Sequence, residues 1–88
     1  MKTLKQLRKK INTIDKTIIK HIAARMKLSD KIGKLKAKSA LPIIDKSREK
    51  KLETFHKKLS KQHQLSVKFI NQLFKLIVIE SRKMQKSK

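Results

Sequence analysis

From Leu4 onward, apolar residues fall at Leu7, Ile11, Ile14, Ile18, Ile22, Leu28, Ile32 and Leu35. Most of the steps are three or four residues, the spacing of a single stripe along an α-helix. No proline interrupts this stretch before Pro42. Gly33 costs about 1 kcal/mol relative to alanine, which a helix this long absorbs without ending. The pattern predicts one helix over residues 3–37, roughly 50 Å long at 1.5 Å per residue. Residues 38–45, KSALPIID, break it, because Pro42 disfavours helix at the residue before it. Asp45 then suits an N-cap. Leu52, Phe55 and Leu59 mark one face of a second helix over residues 46–63. Residues 64–66 connect it to a third helix, with Ser66 as cap and an apolar face of Val67, Ile70, Leu73, Phe74, Ile77 and Val78. That helix is expected to run over residues 66–85 and to fray into a lysine tail. The expected architecture is all-α, a single domain over residues 1–88 with helices in the order long, short, medium.

Length turns this into a statement about assembly. A compact chain of 88 residues has a radius of gyration near 12 Å, so a 50 Å helix overshoots it. Such a helix needs a partner along its whole length, and the rest of the chain is too short to supply one. A homodimer with paired long helices follows as an expectation.

Composition narrows the classes. One Gly, one Pro, no Trp and no Tyr argue against a sheet-rich fold. The absence of cysteine excludes disulfides, thiolate metal sites and a thiol nucleophile. The N-terminus is charged through its first ten residues and lacks the apolar core of a signal peptide. The longest apolar run, residues 76–79, is too short to span a bilayer. The expectation is a soluble, cytoplasmic protein. Its 26 basic and 6 acidic residues give a net charge of +20, which points to an anionic partner. Of the basic residues 22 are lysines, and arginine stands only at Arg8, Arg25, Arg48 and Arg82. Arginine is a planar fork suited to carboxylates and phosphates, so each arginine in a lysine-rich chain draws attention.

Several polar residues sit where the pattern asks for apolar ones. With Leu4 at heptad position a, Ile11, Ile18 and Ile32 fall at a, and Leu7, Ile14, Leu28 and Leu35 at d. Arg25 also falls at a and His21 at d. A buried unpaired guanidinium is costly. Either Arg25 meets an anion inside the bundle, or the register shifts and turns it to solvent. His21 reads as a packed or half-exposed spacer. Lys36 lies eleven residues on, close to three turns, and projects from nearly the same side. Arg8 lies about 100° round the helix from Arg25 and is suited to reach a partner chain's pocket instead. Asp45, Arg48 and Glu49 cluster in DKSRE, read either as a cap with a dipole-favoured acid or as part of a site. Ser81 and Gln85 extend the stripe of Ile77 at i+4 and i+8, as a fraying end or as neutral donors. His56 and His63 share a face, but no acid or thiol completes a metal set. No metal, cofactor or covalent chemistry is expected.

Together these segments resemble the all-helical class of chorismate mutase. LRKKINTIDKTIIKHIAARM, IGKLK, LPIIDKSRE and FINQLFKLIVIESRKMQ carry the likeness over residues 4–85. The family's arginine after leucine early in helix one is matched by Arg8, its mid-helix arginine by Arg25, and its lysine three after glycine by Lys36. Its Asp-x-x-Arg-Glu is matched by Asp45, Arg48 and Glu49, and its Ser-x-x-x-Gln by Ser81 and Gln85. Met26 replaces a second charge that some members carry.

The resemblance implies an interlocked homodimer with two sites and the Claisen rearrangement of chorismate to prephenate, on the route to phenylalanine and tyrosine. It implies catalysis by Lys36, Gln85, Arg25 and Glu49. Substrate binding would add Asp45, Arg48, Ser81 and Arg8 from the partner chain. No attached dehydratase, dehydrogenase or effector-binding domain is expected within this chain. Two alternatives remain open: isochorismate pyruvate-lyase activity of the same family, and a basic helical nucleic-acid-binding protein. Against the latter stand the missing helix-turn-helix glycine and the missing aromatic stacking platform. Non-specific nucleic-acid binding is expected only as a side property.

Overall fold

The computed structural model describes residues 3–86 as three helices, α1 (Leu4–Lys38), α2 (Lys46–Gln62) and α3 (Val67–Lys86). The last two residues of the expected lysine tail lie outside the described residues. Each start is set by a side-chain cap. Thr3 and Gln6 form a reciprocal capping box. Asp45 accepts the Arg48 backbone N–H at 3.0 Å, and Ser66 accepts that of Phe69 at 3.2 Å. These bonds satisfy amides that an α-helix leaves open at its N-terminus.

The two inter-helix connections end their helices in the same way. After α1, Leu41 N–H donates to the Lys36 carbonyl at 2.8 Å and Ala40 N–H to that of Ala37 at 3.4 Å. After α2, Leu65 N–H donates to Ser60 at 2.8 Å and Gln64 N–H to Lys61 at 3.2 Å. This pair of bonds is the Schellman motif, whose turning residue adopts the left-handed conformation. Ala40 and Gln64 hold it at φ 55° and 56°. Glycine usually stands there, and its absence from both turns is a strain the sequence did not announce.

Helix α3 packs on both α1 and α2, while α1 and α2 have no close backbone approach to each other. The closest packing uses small residues. Ser29, Ser60 and Ser81 are buried, and among the described residues no hydrophobic side chain is. A Cβ added to Gly33 would lie 2.6 Å from the Gln85 Cα, so α1 and α3 cross there backbone to backbone. The chain is correspondingly elongated, 58 × 24 × 15 Å with a radius of gyration of 16.4 Å, against about 12 Å for a compact fold. Residues 4–21 of α1 are exposed along their whole length, His21 included. Their stripe of Leu4, Leu7, Ile11, Ile14 and Ile18 is 45–62% exposed.

Candidate active site

Two cavities flank the α2/α3 contact. One, of about 430 Å³, is an outer groove between α2 and α3. The other, of about 410 Å³, lies between the C-terminal half of α1, the start of α2 and the end of α3. The second gathers chemistry from distant parts of the chain. Helix α1 contributes Arg25 and Lys36, and the turn into α2 contributes Asp45, Arg48 and Glu49. Helix α3 contributes Ser81, Arg82 and Gln85. Four cations and two carboxylates leave the lining with an excess of positive charge.

Local structure explains how each group arrives. Arg25 and Lys36 share a side of α1 because eleven residues make about three turns. The Asp45 carboxylate is spent on capping α2, which fixes the first turn bearing Arg48 and Glu49. The Lys36 ammonium donates to the Ile43 carbonyl at 2.7 Å and ties α1 to the loop. An ammonium has three donors, so others stay available for a ligand. Arg25 Nη1 donates to Ser81 Oγ, and Ser81, only 6% exposed, also contacts the Met26 sulfur at 3.9 Å. Arg82 Nη2 donates to Glu49 Oε1 across the α2/α3 contact. Gln85 Oε1 is buried and has no hydrogen-bond partner among the described residues. A buried amide oxygen left unpaired is a costly arrangement that a polar ligand or a partner chain relieves.

The electrostatics point the same way. Burial lowers the Arg25 pKa, and the neighbouring Arg48 charge lowers it further. Two guanidiniums that repel one another in a partly dry cavity ask for an anion between them. His56, behind the cavity wall, is lowered by burial first and by Arg25 and Arg48 after that. Its ring stacks on Phe74 at 3.9 Å, and with His63 it lines a small apolar recess. No cluster of metal-ligating side chains occurs among the described residues. No helix among them is long and apolar enough to cross a membrane.

Of the residues expected at the site, Arg8 alone stands apart. It is exposed on the free half of α1, 17 residues from Arg25 and so about 25 Å along the axis. Two participants escaped the sequence reading. Gly33 gave no sign of its packing role. Arg82 stood out only as an arginine among lysines.

The cavity is half open to solvent, lined by cations with a few neutral donors, a lining suited to small anionic molecules. Comparison with known proteins identifies the family. The chorismate mutase type II family model matches residues 7–86. A chorismate mutase of Methanocaldococcus jannaschii is 32% identical over 83 residues, 94% of this chain and 84% of that protein. A bifunctional chorismate mutase/prephenate dehydratase of Buchnera aphidicola subsp. Schizaphis graminum is 41% identical over 83 residues. Its counterpart in Escherichia coli K12 is 36% identical over 75 residues. The matched stretches cover 94% and 85% of this chain but 22% and 19% of those two longer proteins. The chain belongs to the chorismate mutase type II family.

Proposed function

We propose that this chain rearranges chorismate to prephenate in the cavity formed by α1, α2 and α3, as part of an interlocked homodimer in the cytoplasm. The observation that carries the reading is the convergence of Arg25, Lys36, Glu49 and Gln85, from three helices, on one cavity. Chorismate bears two carboxylates. Arg25 grips one, supported by Arg48 and Ser81, and the partner's Arg8 grips the other. Glu49 and the backbone near Asp45 hold the substrate hydroxyl.

The reaction is a unimolecular Claisen rearrangement, with neither a nucleophile nor an obligatory proton transfer. Holding the flexible substrate as a compact, chair-like conformer supplies catalysis by orientation. As the C–O bond breaks, negative charge grows on the ether oxygen. Lys36 and Gln85 donate to that oxygen, and donors fixed there favour the transition state over the ground state. Removing one such donor costs about 3–4 kcal/mol of barrier.

The dimer rests on the bare stripe of α1. Five large apolar side chains from Leu4 to Ile18 are exposed, and a second long helix buries them at about 25 cal/mol per Å². The same pairing brings Arg8 to the neighbouring chain's cavity. Incubating purified protein with chorismate and following loss of its ultraviolet absorbance tests the activity, with Arg25→Ala as control. Prephenate formation supports the reading. Conversion of isochorismate alone, or of neither compound, contradicts it.

A further inference from the structure

Arg82 is the one arginine of the four that the family pattern leaves without a role. It lies beside Lys83 on α3, and the contrast between the two is instructive. Lys83 pairs with Glu80 on its own helix at 3.0 Å, with both side chains more than half exposed. Such surface pairs contribute little. Arg82 instead reaches across to α2 and pairs with Glu49, each side chain about one-third exposed. Arg82, Glu49, Leu52 and Val78 line both the outer groove and the cationic cavity. The ion pair therefore stands in the wall between the two.

We infer that Arg82 is a positioning residue that holds the Glu49 carboxylate against this wall, so that its second oxygen receives the substrate hydroxyl. The inference rests on the proposed function. Arg82 occupies Oε1, and no hydrogen bond is made to Oε2 among the described residues. A carboxylate so placed faces competition. Arg25 and Arg48 line the same cavity, and a released Glu49 is drawn to them. It then acts as an internal anion that occupies the cations needed by the substrate carboxylates. A planar guanidinium fixes the orientation of its partner in a way a lysine ammonium does not. That accounts for an arginine here in a chain of 22 lysines.

The test compares steady-state kinetics of wild type, R82M and R82K on chorismate, alone and in an E49Q background. R82M is expected to raise KM about tenfold while kcat stays within about threefold, the signature of impaired substrate binding. R82K should recover part of that loss. In the E49Q background, R82M should change kcat/KM less than about twofold, because the two act through one contact. An unaltered KM in R82M, or an equal loss with and without Glu49, overturns the inference. Should R82M fail to fold, R82K decides, with a KM raised about threefold expected and an unchanged KM contradicting it. If the wild type does not convert chorismate, the proposed function fails and takes this inference with it. If it does and R82M matches it, this inference alone fails.

Discussion

Gly33 and Gln85 meet backbone to backbone. A side chain on Gly33 would collide with the Gln85 Cα at 2.6 Å and its carbonyl oxygen at 2.8 Å. Neither is the end of a flexible side chain, so α1 and α3 must separate to admit even a methyl group. Alanine is intrinsically better than glycine in a helix by about 1 kcal/mol. Overpacking outweighs this, at about 1–3 kcal/mol. Gly33→Ala is therefore expected to lower stability by about 1 kcal/mol net and to reduce kcat by moving Gln85. Urea denaturation and steady-state kinetics check the two effects together. A more stable, fully active variant would show that the helices do not approach this closely.

The turns offer the opposite opportunity. Ala40 and Gln64 both sit at positive φ, where an L-residue is strained by about 1–2 kcal/mol. Glycine removes the strain but adds freedom to the unfolded chain, worth about 0.4–1 kcal/mol. Ala40→Gly and Gln64→Gly are each expected to stabilise the protein by about 0.5–1 kcal/mol net. The measurement is the urea midpoint at matched protein concentration. The Gln64 variant should leave activity unaltered, since that residue lies away from the cavity.

His56 links stability to pH. Its folded-state pKa lies below the ordinary value of 6.5 because of burial, then Arg25 and Arg48. Lys75 and Arg82 of α3 and Glu49 and Glu53 of α2 line the groove beside it. A base whose pKa is depressed by folding favours the native state above its unfolded pKa, and that advantage drains away as pH falls through the folded value. Thermal stability should therefore decline as pH drops from 7.5 to 5.5. The His56→Gln variant should decline less steeply over the same interval. Parallel profiles would show that His56 does not contribute.

Gln85 is neutral at every pH, so activity near neutrality should depend little on pH. Gln85→Glu should change this, because only a protonated carboxyl donates to the ether oxygen. Its activity should rise as pH falls toward about 4.3, the range of a free glutamic acid. Lys36 and Arg25 in the same cavity favour the ionised form, while burial of the side chain favours the neutral, donating form. A flat profile for this variant would remove Gln85 from its role.

Much of the fold was legible in the sequence because helix ends are local events. Asp45 and Ser66 act as caps where the pattern put them, Thr3 adds a capping box that the pattern did not single out, and the observed ends fall within a residue of the expected ones. Individual members of the candidate site were legible as polar residues on apolar stripes, Arg25, Ser81 and Gln85 among them, but their assembly into one site was legible only through the family pattern, since they are scattered over some sixty residues from Arg25 to Gln85. Interhelical packing was not legible. The apolar period marks the stripe α1 leaves bare, whereas the crossings within the chain use Ser29, Gly33, Ser60 and Ser81, which carry no apolar signal. The left-handed turns were hidden for a similar reason, as neither contains the glycine that usually announces one.

The central claim is that each site is shared, with Arg25 of one chain and Arg8 of the other holding one doubly charged substrate. Arg8→Ala and Arg25→Ala should each abolish most chorismate turnover when assayed alone. Unfolded together and refolded as an equal mixture, they should recover about a quarter of wild-type activity, because half the dimers are mixed and each of those has one complete site. Recovery near that level supports the shared site. A mixture no more active than its two components would contradict it.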